Sequence, residues 1–172
     1  MAQYSVPNGD IPPQGGTTTT TAGGGTYYTE INDGINGPGS GPTTSKNVTL
    51  SGFGANIKVD MASMSSPGAG TKTLRIYASN NNIGGDTVTV QLDDGTNTEN
   101  VTFSNVSFES TYSQTFTTNF NYSSLTANIQ YNSLSFITTI YELEIEIPDA
   151  AGGGGGGDVE DPTNPEAFLM FL

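Results

Sequence analysis

From Thr71 to Gly95 the chain reads TKTLRIYASNNNIGGDTVTVQLDDG, and apolar residues recur there at every second position. Leu74, Ile76 and Ala78 alternate with Thr73, Arg75 and Tyr77; Val88, Val90 and Leu92 alternate with Thr87, Thr89 and Gln91. A period of two belongs to a strand with one dry and one wet face. The intervening SNNNIGGD supplies Asn and Gly, which tolerate positive φ and reverse the chain. This hairpin forbids a helical fold and sets the reading of its surroundings.

The same signals recur along the chain. Val48 and Leu50, then Ile57, Val59 and Met61, alternate on either side of Gly52 and Gly54, which mark a bend or bulge. Val101 and Phe103, Val106 and Phe108, and Tyr112 to Phe120 continue the series. SSLTANIQ at Ser123 to Gln130 is short enough to be a helical turn or a loop. Leu134 to Ile140 is a further apolar-rich run. In the last strand Tyr141, Leu143, Ile145 and Ile147 take one face and Glu142, Glu144 and Glu146 the other, before Pro148 stops it. About eight strands at ten-residue spacing predict an all-β antiparallel sandwich of jelly-roll type with extended N- and C-terminal arms.

Four segments follow. Residues 1–44 form a Gly-, Thr- and Pro-rich arm, residues 45–148 the sandwich, residues 149–166 an acidic linker with six consecutive glycines, and residues 167–172 an apolar peptide, AFLMFL. The arm has too few apolar side chains for a core of its own, which leaves two readings: a disordered tail, or an extended segment that Tyr4, Val6 and Ile11 pin to a neighbouring subunit, with the Thr run adding a strand to a sheet edge. Phe168, Leu169, Met170, Phe171 and Leu172 are expected to dock in another subunit, with folding back onto their own domain, or disorder, as the alternatives. Burying five such side chains gains on the order of 10 kcal/mol before the cost of ordering them.

Residue types exclude much chemistry. The chain has no Cys and no His, so disulfides, thiolate or imidazole metal sites, Cys nucleophiles and Ser-His-Asp triads are absent. With 17 acidic residues against 4 basic ones the net charge is −13, which disfavours nucleic acid and anionic membranes as partners. No secretory signal is visible near Met1 and no run reaches the ~20 apolar residues of a membrane span. Carboxylates two apart on a strand stand ~7 Å from each other, too far to share one calcium ion, so the Glu142, Glu144 and Glu146 row reads as a solvated face. Asp93 and Asp94 read as a turn. No cofactor and no catalytic residue is expected. Tyr77, on the wet face of its strand, is the candidate for stacking on a sugar ring, with Tyr112, Tyr122 and Tyr131 in or near loops.

The succession YYTEINDG, IKVDM, SSPGAGT, TLRIYA, GGDTVTVQLDDG, IQYNSLSF and YELEIEIPDA, spread over about Tyr27 to Ala150, resembles a jelly-roll domain of tailed-phage virion proteins found in capsid decoration (cement) and fibre-like proteins. The resemblance implies a virion structural protein, without enzymatic activity, binding the major capsid protein or other virion subunits in repeated copies. Two other expectations stand beside it: a fibre-borne glycan- or receptor-binding module, and a self-assembling filament subunit.

Overall fold

The computed structural model describes residues 3–11, 15–20, 26–32, 35, 46–65 and 70–148. The apolar peptide 167–172, expected to dock, and the linker 149–166 lie outside these residues. Among the described residues, nine strands and one short helix follow in order: β1 (Gln3–Ser5), β2 (Pro7–Asp10), β3 (Gly15–Thr20), α1 (Tyr27–Glu30), β4 (Val48–Met61), β5 (Lys72–Asn80), β6 (Asp86–Asp93), β7 (Thr98–Val106), β8 (Ser110–Phe116) and β9 (Thr126–Ile147). All strand pairings are antiparallel.

Two strands, β4 and β9, are long enough to belong to both layers of a jelly-roll sandwich. In one layer the order is β2, the second half of β4, the first half of β9, β6 and β7. In the other it is β3, the first half of β4, the second half of β9, β5 and β8, with β1 on the far end of β9. Both long strands bend where their register slips, between Ser51 and Ala55 opposite Tyr131 to Ile137. Gly52 (φ 83°) and Gly54 (φ 75°) provide the left-handed backbone that a side chain would oppose there. The alternating apolar residues of both layers, including Leu50, Ile57, Ile76, Val90, Phe103, Ile129 and Ile145, meet in a single core.

Several sequence expectations change in the structure. The runs around Leu134 to Ile140 and Tyr141 to Ile147 are one 22-residue strand with a bend, since a bulge preserves pairing while it breaks the alternation. SSLTANIQ enters that strand at Thr126. The amino-terminal arm, expected to add a strand to a neighbouring subunit, instead pairs with its own chain. Tyr4 lies opposite Glu146, and Pro7 opposite Met61; Val6 O accepts from Ala62 N and Ile11 N donates to Lys58 O. The edges of β4 and β9 are within reach of the residues leading into them, so the arm closes its own sandwich. Ser5 is buried, its hydroxyl donating to Ala62 O at 2.7 Å.

The arm also organises the segment after it. Asp10 accepts the amides of Tyr27 (2.9 Å) and Tyr28 (2.8 Å), satisfying first-turn donors of α1 that its own N-cap, Thr26, leaves open. The chain leaves α1 with Ile31 buried, and Ile31 O accepts from Leu143 N. That bond occupies the gap on β9 between Ile140, paired to β4, and Ile145, paired to β1.

Candidate functional site

Two exposed regions carry side chains suited to binding. The first is the outer face of the layer holding β5, β8 and the second half of β9. Alternation along β5 turns Arg75, Tyr77 and Ser79 outward while Leu74, Ile76 and Ala78 enter the core. Tyr77 is thus on the wet face, as its position in TLRIYA implies. Its ring meets Tyr141 edge to face, centroids 5.5 Å apart, and its hydroxyl donates to Glu109 Oε1 at 3.0 Å. Burial, then the bond to Glu109, hold the phenol proton on Tyr77 above its ordinary range. Thr111 and Ser113 of β8 stand opposite Tyr77 and Arg75, adding hydroxyls to the same face.

Tyr141 was expected to point inward with Leu143. The register slips by one between Tyr77 and Ala78, which pair with Glu142 and Ile140, so Tyr141 is the bulged residue and packs outside against Tyr77. Its hydroxyl lies 3.3 Å from Ser79 Oγ. The neighbouring glutamates do not form the expected solvated row: Glu142 is 0% and Glu144 3% exposed. Glu144 is met by a segment from far upstream. Glu144 accepts from Ile35 N at 2.9 Å and from Arg75 Nη1 at 3.5 Å, while Arg75 Nη2 pairs with Glu146. Burial nevertheless pushes the Glu144 carboxyl up, against the pull of Ile35 N–H and Arg75. Among the described residues no three acidic side chains converge to hold a metal ion.

The second region is the end of the sandwich where β4 and β9 bend and the connections β5–β6 and β7–β8 turn. Phe53 (73% exposed), Ile83 (82%), Phe108 (70%) and Leu134 (83%) project there, with Phe136 and Ile137 less so. Register puts these positions together: Asn81 N donates to Ile137 O, Ile137 N donates to Asn81 Oδ1, and Asn80 N donates to Ser107 O. Beneath them, Asn80 Nδ2 donates to Tyr131 Oη (2.9 Å) and Thr138 Oγ1 (2.6 Å), and Tyr131 donates to Asp86 Oδ2 (2.9 Å). Tyr131 is therefore buried, contrary to the expectation of a loop tyrosine. Tyr122 is buried too, its hydroxyl without a partner among the described residues and its pKa pushed up to about 12 by burial. Tyr112 is half-buried, donating to Phe108 O and accepting from Ser107 N.

The apolar end was not foreseen. Its signal was legible only as residues out of phase with their strands, Phe53 between two glycines and Leu134 and Phe136 flanking Ser135.

No family model matches the chain, and no curated protein sequence matches it. Solved structures similar to it include CBM35 from Cellvibrio japonicus Abf62, with TM-score 0.48 and 13% identity over 87% of this chain and 94% of that one. A Family 16 Carbohydrate Binding Module-2 gives TM-score 0.43 and 12% identity over 59% of this chain and 77% of that one. The enzymatically active domain of Bacteriophage CBA120 tailspike protein 4 gives TM-score 0.45 and 12% identity over 85% of this chain but 19% of that one. At such identities the likeness is one of sandwich fold.

Proposed function

We propose that the chain is a non-catalytic binding module whose outer sheet face takes a neutral carbohydrate. The observation that carries this reading is the Tyr77–Tyr141 ring pair, partly exposed and bordered by hydroxyl and carboxylate groups of Ser79, Thr111 and Glu109. A sugar ring presents C–H groups to an aromatic face and hydroxyls to its rim, and this surface offers partners for both. A net charge of −13 disfavours anionic glycans. Carbohydrate-binding modules among the structures of similar fold accord with the reading but do not bear its weight.

The capsid-decoration role implied by the resemblance in sequence relied on two termini reaching a neighbour. With β1 to β3 laid on the chain's own sheets, what still speaks for it is the apolar sequence of residues 167–172. Placement on a virion remains part of the proposal only as a fibre-borne module.

Affinity electrophoresis against a panel of neutral and acidic polysaccharides tests the binding. Saturable retardation by a neutral polymer is expected, weakened at least about tenfold in Tyr77→Ala, a loss of roughly 1.4 kcal/mol, with the thermal midpoint retained. Retardation by none of them, or equal retardation of wild type and Tyr77→Ala, would remove the assignment.

A further inference from the structure

Seven large apolar or aromatic side chains are exposed among the described residues, and six of them, all but Tyr4, stand at the bent end of the sandwich. Single exposed apolar residues are ordinary; such a concentration on one end marks a surface made to be covered. The end is also firmly built. Asn82 closes its own turn, accepting from Gly84 N and donating to Gly85 O. A Cβ on Gly85 (φ 79°) would stand 2.7 Å from Asn105 Cα, so the two connections are fitted to each other.

We infer that this end is the receptor for the chain's own apolar segment, residues 167–172, docked within the same molecule. Three arguments select that occupant. The segment is AFLMFL, uncharged and of the apolar chemistry that would cover Phe53, Ile83, Phe108 and Leu134, which are exposed among the described residues. The second half of β9 carries the chain away from the bend, from Ile137 to Ile147, about 33 Å at ~3.3 Å per residue. Residues 148–166 span up to about 63 Å when extended, so the way back is open. A tether of this kind holds its end at an effective concentration on the order of millimolar. Between separate copies, by contrast, a charge of −13 on each opposes approach. The inference is independent of the carbohydrate reading, which concerns a different face.

The absence of Cys permits a direct test on the full chain. Leu134→Cys combined with Leu169→Cys is compared, under a mild oxidant at low micromolar concentration, with Ser113→Cys combined with Leu169→Cys. Both receiving positions are exposed, so neither substitution is expected to unfold the protein; the control stands away from the bend on β8. Docking predicts an intrachain disulfide forming at least about tenfold faster at position 134 than at 113, and slowed toward the control rate by adding Phe168→Ser and Phe171→Ser. Equal rates at the two positions overturn the inference and leave the surface to another partner. A predominance of disulfide-linked dimers also overturns it, in favour of a second copy as occupant.

Discussion

The two ends of the sandwich solve one problem, how to fasten loops to a β core, with opposite materials. At the bent end the fastening beneath the surface is made largely by neutral amides and hydroxyls of Asn80, Asn81, Tyr131 and Thr138, and the large apolar side chains face out. At the other end, where β6 turns into β7 and residues 117–125 lead into β9, the apolar side chains of Phe116, Phe120, Tyr122 and Leu125 are turned in. The polar groups there are charged. Asp94 accepts from the amides of Thr96, Asn97 and Asn121, joining two connections. Lys72, itself buried, donates to Thr117 O, Thr118 O and Asn119 Oδ1 at 3.2, 3.3 and 2.6 Å. Burial lowers the Lys72 pKa and the charge of Glu99 acts against that. One end has spent its apolar residues on itself; the other has kept them available.

The largest effect expected from this contrast lies at the charged end. Lys72→Met preserves the aliphatic stem and removes the ammonium, leaving three oxygens of one connection without their donor. A loss of roughly 2 to 4 kcal/mol in urea unfolding is expected. A loss below about 0.5 kcal/mol would mean that the connection 117–119 is held by its aromatic side chains alone, and the distinction between the ends would fail. At the bent end Tyr131→Phe removes one hydroxyl from a network whose other members keep partners, since Asn80 retains Thr138. A cost of about 1 to 2 kcal/mol is expected, with backbone amides of residues 81–85 exchanging faster. If Tyr131→Phe proved costlier than Lys72→Met, the bent end would be the more tightly fastened of the two.

The features that locate these ends differed in how well they could be read from the chain. The core face of β5 and β6 was legible because each strand keeps strict alternation from Leu74 to Ala78 and from Val88 to Leu92. Tyr77 was legible as an outward residue for the same reason. Its partner Tyr141 was not, because one bulged residue inverts the phase of everything before it relative to Leu143. Glu142 and Glu144 read as solvated since nothing within their own strand covers them; Ile31 and Ile35, more than a hundred positions upstream, sit against that stretch of β9. The bent end escaped notice for a related reason. Phe53, Leu134 and Phe136 are apolar, and by composition alone belong to a core; only the bends at Gly52 and Gly54 and opposite them turn these side chains outward. Local alternation reports a strand's own faces, and remains silent about segments that arrive from elsewhere.

The smallest effect is expected at Asp94, and it depends on pH. Three backbone amides, with a weaker contact from the Asn97 side chain, hold its carboxyl well below the usual carboxylate range. A depressed folded-state pKa contributes stability that is fully present above the unfolded value, about 3.9, and is lost as pH falls toward the folded one. Asp94→Ala is therefore expected to lower the thermal midpoint between pH 5 and 8, with the gap to wild type closing as pH falls below about 4. Glu144 carries the opposite sign: burial raises its pKa, so its protonation favours the fold, a contribution lost as pH rises through the raised value. Glu144→Gln keeps an acceptor for Ile35 N–H while removing that titration, so the acid limb of its midpoint profile should be steeper than that of wild type, and in the double variant with Asp94→Ala the slope should lie between those of the two single variants. A gap between wild type and Asp94→Ala that widens on acidification would reverse the sign assigned to the charged end, and with it the claim that ionised groups hold this end together.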